Sequence, residues 1–163
     1  MISPERIGHV VIKVRDLDRS RRFYTEVMGL QLMQELPHIK MSFFASNGRD
    51  HHEIALVEVG SEAPGPQRGE IGLSHIAFRM RDEAHLRAAY EELKAKQVPI
   101  LSTVDHGVTK SIYFRDPDGH QLEVYCDNEY VAGANANNYG GMGKLDFARS
   151  ERGLMEALDE MTK

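Results

Sequence analysis

A chemical reading of this chain begins at two histidines, because the same short phrase follows each of them. "HVVIKVRD" starts at His9 and "HIAFRMRD" at His75; in both, three apolar residues lead to a basic one and then to Arg-Asp. Superposing the two also sets Asp16 on Asp82 and Tyr24 on Tyr90, at a constant offset of 66 residues. A unit repeated at this length cannot bury its own sheet, so the copies are expected to pair and bring equivalent positions to one cleft. Two imidazoles meeting there are the start of a metal site. The carboxylate that could join them stands in "DPDGHQLEVYCD", where Glu123 lies between Leu122 and Val124 of an apolar strand. A carboxylate in that setting either faces water or has a strong partner. Two neutral imidazoles and one carboxylate on one face of an ion leave three coordination positions open, which suits non-haem Fe(II) and oxygen chemistry. His51, His52, His106 and His120 also lie on or beside predicted strands.

Regular elements must hold these residues in place. "IGHVVIKV" is rich in β-branched residues and predicts a strand; "DLDRSRRFYTEVMG" predicts a helix, with Leu17, Phe23, Tyr24 and Val27 on one face. Asp16 or Asp18 can accept its free amides, and Gly29 suits the left-handed position that ends it. "LQLMQEL", "KMSFFAS" and "HEIALVEV" then predict three strands. After a Gly/Pro-rich linker at 60–72 the order returns: strand "LSHIAFRM", helix "DEAHLRAAYEELKAKQ", and strands "PILSTVDH", "KSIYFRD" and "QLEVYCD". The first module therefore spans 6–60 and the second 73–128, in one domain over 1–130. Residues 131–163 read as an Asn/Gly-rich stretch and a C-terminal helix with an apolar stripe of Leu154, Leu158 and Met161.

Composition narrows the function. The net charge of −5 would repel a phosphate backbone on average, so nucleic acid is not an expected partner. No apolar run approaches the roughly 20 residues that cross a bilayer, and no membrane partner is expected. One cysteine, Cys126, excludes an internal disulfide, and "MISPERIGHV" lacks the apolar stretch of a secretory signal. A cytoplasmic location is the expectation.

The doubled β-α-β-β-β unit, with histidine in the first strand of each copy and "FRDPDGHQLEVY" closing the second, resembles the vicinal oxygen chelate superfamily over about residues 6–128. Within it, the chain is most similar to single-domain type I extradiol, catechol-cleaving dioxygenases. "RDHHEIALVEV", "LSHIAF" and "DHGVTKSIYFRDPDGHQLEVYCD" carry the likeness most specifically. The resemblance implies an α+β fold in which two paired β-α-β-β-β modules form an open eight-stranded sheet around a metal cleft. It implies His9, His75 and Glu123 as iron ligands and His52, His106 and Tyr113 as catalytic residues beside them. Which of His51 and His52 points inward stays open, and the stretch from His106 to Tyr113 is about two residues shorter than in the larger, two-domain dioxygenases.

The implied reaction takes an aromatic diol and dioxygen and opens the ring beside the hydroxyls, with Fe(II) or alternatively Mn(II), in a homo-oligomer. Two other readings share the fold: a glyoxalase-like lyase or isomerase using Zn or Ni, and a small-molecule binding or resistance protein. One alignment separates them. Setting "HEIALVE" on "HQLEVYC" places Ala55 opposite Glu123, so the first copy offers no carboxylate where glyoxalase-like members use a fourth ligand. Glu53, two residues away with the same strand parity, would restore one if the register slipped.

Overall fold

The structure, a computed structural model, describes residues 1–128 other than 47, 49 and 68, together with 143–147. The predicted C-terminal helix with Leu154, Leu158 and Met161 lies outside the described residues, as does most of the Asn/Gly-rich stretch before it. The described chain divides into two compact units, one of residues 1–72 with 116–120 and one of residues 73–115 with those from 121 onward.

In the first unit the strands are β1 (Val10–Val14), β2 (Gln31–Leu36), β3 (Met41–Ala45) and β4 (Ile54–Glu58), in the order β1-β4-β3-β2. The β1–β4 pair is parallel and the others antiparallel. Helix α1 (Leu17–Arg22) crosses between the parallel pair and packs on β4 and β3. It starts where the sequence predicts, since the Asp16 side chain accepts from the Arg19 amide at 2.9 Å. Its second half differs from a plain α-helix. Residues Phe23–Val27 form a π turn, in which the Met28 amide reaches back to the Phe23 carbonyl. The wider turn is offset by complete burial of Tyr24, whose hydroxyl donates to Asp116 at 3.1 Å. Gly29 then takes the left-handed conformation, φ 69°, that ends the helix.

The second unit repeats the order with β5 (Ile76–Arg79), α2 (Glu83–Ala95), β6 (Ile100–Asp105), β7 (Thr109–Arg115) and β8 (Gln121–Asp127). Its sheet runs β5-β8-β7-β6-β9, where β9 (Gly143–Lys144) is a short strand that the sequence did not announce. Asp82 caps α2 as Asp16 caps α1, accepting from the His85 amide at 2.9 Å. Leu86 and Leu93 turn from α2 onto the sheet face formed by Ile112, Phe114, Leu122, Val124 and Cys126, all buried. Each large apolar side chain in such a layer contributes about 2 kcal/mol by leaving water. The eight predicted strands are thus present as four in each of two hydrogen-bonded sheets, giving the expected α+β fold with an added ninth strand. No helix among the described residues is long and apolar enough to cross a membrane.

Both first strands start later than predicted. Their ladders begin at Val10↔Ile54 and Ile76↔Leu122, so His9 and His75 each stand one residue before the first pair.

Candidate functional site

Strand alternation sends odd and even residues of β8 to opposite faces, and Glu123 lies on the face away from α2. It is paired in the ladders with Ala77 of β5 and Tyr113 of β7. Its Oε2 is 3.0 Å from His75 Nε2, and the residue is only 7 % exposed. The His75 ring meets Tyr113 edge-on, with centroids 5.7 Å apart. The Tyr113 hydroxyl lies 3.1 Å from His106 Nε2. Burial first, and then the Glu123 carboxylate, raise the Tyr113 phenol above its ordinary value, opposed by Ser111. His106 sits in the β6–β7 turn, where its amide bonds the Thr109 carbonyl and Gly107 adopts φ 81°, a conformation that glycine takes without strain.

In the first unit, His9 and His52 face one another with ring centroids 4.4 Å apart, whereas His51 is 6.3 Å from His9. His51 and His52 touch through their Nδ1 atoms at 2.6 Å, so one donates to the other. His52 is half-buried and His51 exposed. Burial first, then the imidazoles of His51 and His9, lower the His52 pKa below 6.5 and favour the neutral ring. Phe43 closes the other side of His52 at 5.0 Å between ring centroids. The sequence reading did not single out Phe43, although a signal exists: "KMSFF" aligned with "KSIYF" sets it on Tyr113. The ladders agree, since Phe43 is paired with Ala55 as Tyr113 is with Glu123.

The same ladders answer the question of register. Ala55 is opposite Val11, two residues beyond His9, and Glu123 is opposite Ala77, two residues beyond His75. Ala55 and Glu123 are therefore equivalent positions in the two sheets. Glu53 is engaged elsewhere: its Oε2 accepts from the Ser46 amide at 2.6 Å and the Ser46 hydroxyl at 2.5 Å.

Two sets of donors result, His9 with His52 in one unit and His75 with Glu123 in the other. Among the described residues, no three His, Cys, Asp or Glu side chains are gathered as a ready-made ion cage. The chemistry of the second set nevertheless fits a divalent cation. Glu123 is a buried carboxylate with no Lys or Arg partner among the described residues, and the imidazole beside it is the donor that most often accompanies carboxylate around iron.

The histidine at 120 has a different place. Its Nδ1 meets Asp116 Oδ2 at 2.9 Å, and Asp116 Oδ1 accepts from the amides of Asp118 and His120 at 3.0 and 2.8 Å. Asp118 accepts in turn from Arg15 at 3.1 Å, Arg19 at 2.6 Å and the Ser20 hydroxyl at 3.1 Å. The loop 116–120 is a buried polar knot of the first unit, and His120 belongs to it.

A family model described as the Glyoxalase/Bleomycin resistance protein/Dioxygenase superfamily matches residues 6–124. The chain is 32 % identical over 124 residues to "Biphenyl-2,3-diol 1,2-dioxygenase 3" of Rhodococcus globerulus, covering 76 % of this chain and 64 % of that protein. It is thus similar to a relative of which it spans less than two thirds. It is also 30 % identical over 140 residues to a "Probable lactoylglutathione lyase" of Vibrio parahaemolyticus, covering 81 % of this chain and 98 % of the relative. Among solved structures, a glyoxylase/bleomycin resistance protein/dioxygenase domain from Frankia sp. superposes with a TM-score of 0.67 at 25 % identity, over 77 % of this chain and 100 % of that one. With the family model spanning both β-α-β-β-β units, the chain belongs to the glyoxalase/bleomycin resistance protein/dioxygenase superfamily.

Proposed function

We propose that this chain is an Fe(II)-dependent extradiol dioxygenase that opens a catechol-type aromatic ring beside its two hydroxyls, with His9, His75 and Glu123 as the metal ligands. The observation that carries the reading is the register equivalence of Ala55 and Glu123: the first sheet has a methyl group where the second has the carboxylate, which supports a three-ligand over a four-ligand site. The 32 % identity to a relative named as a biphenyl-2,3-diol dioxygenase supports the same substrate class.

An Fe(II) ion held by these side chains supplies Lewis-acid and one-electron redox chemistry toward the diol and dioxygen. The chain's own groups handle charge and protons. His52, kept neutral by burial and by its neighbouring imidazoles, accepts a proton from a diol hydroxyl. Tyr113, kept protonated by burial and by the Glu123 carboxylate, donates a hydrogen bond to a substrate oxygen. His106 orients that phenol through the 3.1 Å contact with its hydroxyl. Glu123 contributes one negative charge and the histidines none, so the loaded site keeps a net positive charge that favours a catecholate. Both atoms of dioxygen end in the ring-opened product, and no external reductant is consumed.

The similarity to a probable lactoylglutathione lyase supports a second reading, a lyase or isomerase using Zn or Ni. Oxygen uptake with a panel of catechols after anaerobic Fe(II) loading separates the two. Stoichiometric uptake with a yellow ring-cleavage chromophore supports the dioxygenase; turnover of a hemithioacetal without oxygen uptake overturns it. The reading carries a homo-oligomer with it, checked by light scattering.

A further inference from the structure

The first unit contains a cavity of about 460 Å³ that none of His9, His51 or His52 lines. This is within the range of roughly 300–1,000 Å³ that small-molecule sites occupy. Its walls are Lys13 and Val59 from the ends of β1 and β4, the linker segment with Pro64 and Pro66, and the polar groups Arg15, Glu70, Asp118 and His120.

Comparison of the two units shows what is unusual about it. Lys13 lies two residues past Val11 and Val59 four past Ala55, which makes them the equivalents of Arg79 and Asp127 in the second unit. Arg79 and Asp127 form an ion pair there. In the first unit the cation is kept but its carboxylate is replaced by Val59, an apolar side chain left 47 % exposed. Lys13 has no partner among the described residues.

The other cation on the wall is not available to a ligand. Arg15 donates through Nε to the Ala63 carbonyl at 2.6 Å and through Nη1 to Asp118 at 3.1 Å. Its guanidinium is so closely covered by the linker that a Cβ on Gly65 would come within 2.9 Å of it. His120 is likewise held by Asp116. What remains free is one ammonium beside an apolar wall of Val59, Pro64 and Pro66, with Glu70 as the remaining charge.

We propose that this cavity is a second small-molecule site, which binds a monocarboxylate with a compact apolar body. The carboxylate pairs with Lys13 in the place that Asp127 takes beside Arg79, and the body lies on Val59 and the proline rings. Glu70 repels every negative charge on the ligand and Lys13 is, among the described residues, the one free cation on the wall, so a second negative charge finds no partner and dianions are disfavoured. The ligand completes an ion pair that the duplicated fold makes internally in the other unit.

Benzoate is the probe, and phosphate the control for a bare cation. In an NMR titration of the full chain, benzoate is expected to give saturable shifts at the amides of Lys13, Val59 and Gly65, and phosphate none. Lys13→Met removes the charge, and Val59→Asp supplies the missing carboxylate from the protein itself. Each should weaken benzoate binding about tenfold or more. The proposal is overturned by absence of saturable shifts at these amides, by an equal response to phosphate, or by wild-type affinity in either variant. The cavity shares no residue with His9, His52, His75 or Glu123, so ring cleavage and benzoate binding can fail independently.

Discussion

Ala55 and Glu123 hold the same register position in two sheets that repeat one another, each opposite the residue two beyond a strand-leading histidine. Ala55 is fully buried on its strand, and its ladder neighbour Phe43 corresponds to Tyr113. One sheet presents a carboxylate at this position and the other a methyl group. If the methyl marks the open side of an iron site, Ala55→Glu should retain the ion and suppress ring cleavage by filling a position that substrate or oxygen needs. Ring cleavage at the parental rate in Ala55→Glu would remove the three-ligand argument.

Metal content tests the ligand set directly. The purified chain should bind about one divalent ion, and His9→Ala, His75→Ala and Glu123→Ala should each abolish tight binding, as read by elemental analysis after dialysis. Zinc or copper acquired during purification is the competitor to control, because both bind imidazole sites more strongly than Fe(II). Unchanged metal content in all three variants would refute the assignment.

Proton handling should separate from metal binding. His52→Gln and His106→Gln should keep iron and lower turnover per bound iron by about 10²-fold, the scale of a lost acid–base group. The larger loss is expected for His52, whose ring lies against His9, whereas His106 touches the Tyr113 hydroxyl. Steady-state rates normalised to iron give the comparison, and full turnover in either variant would strip that residue of its role.

Acid stability should report on Asp118. Burial by itself would raise its carboxyl, but the Arg19 guanidinium, the Arg15 amide and the Ser20 hydroxyl outweigh burial and hold the pKa below 3.8. A carboxyl depressed in the folded state stabilises the fold above its unfolded value, and that stability is lost as pH falls through the folded one. Asp118→Asn should therefore cost about 1–2 kcal/mol near neutral pH, because it leaves Arg15 and Arg19 without their anion while both guanidiniums, 29 % and 41 % exposed, still reach water. Its stability should also fall less steeply than that of the parent below pH 3.8. Denaturant midpoints measured across the acid range would show parallel slopes if Asp118 plays no such part.

Local pattern made much of the fold legible. Asp16 and Asp82 cap their helices as the repeat predicts, and the strands carrying Glu123 and Tyr113 lie where apolar alternation puts them. Caps, turns and strand parity depend on residues within a few positions of one another, so sequence alone determines them. Long-range contacts have no such period. Only the tertiary structure decided that His52 rather than His51 lies against His9, because the turn before β4 sets which ring faces the strand-leading histidine. It also placed Asp118 on Arg15 and Arg19, about a hundred residues away in the chain, and drew His120 into that knot. The two residues of β9 are too few to carry an alternation, and their pairing with Val104 and Asp105 exists only once β6 is in place. The contrast between Lys13 beside Val59 and Arg79 beside Asp127 has the same origin, since diagonal neighbours across a ladder become partners only when the register is set.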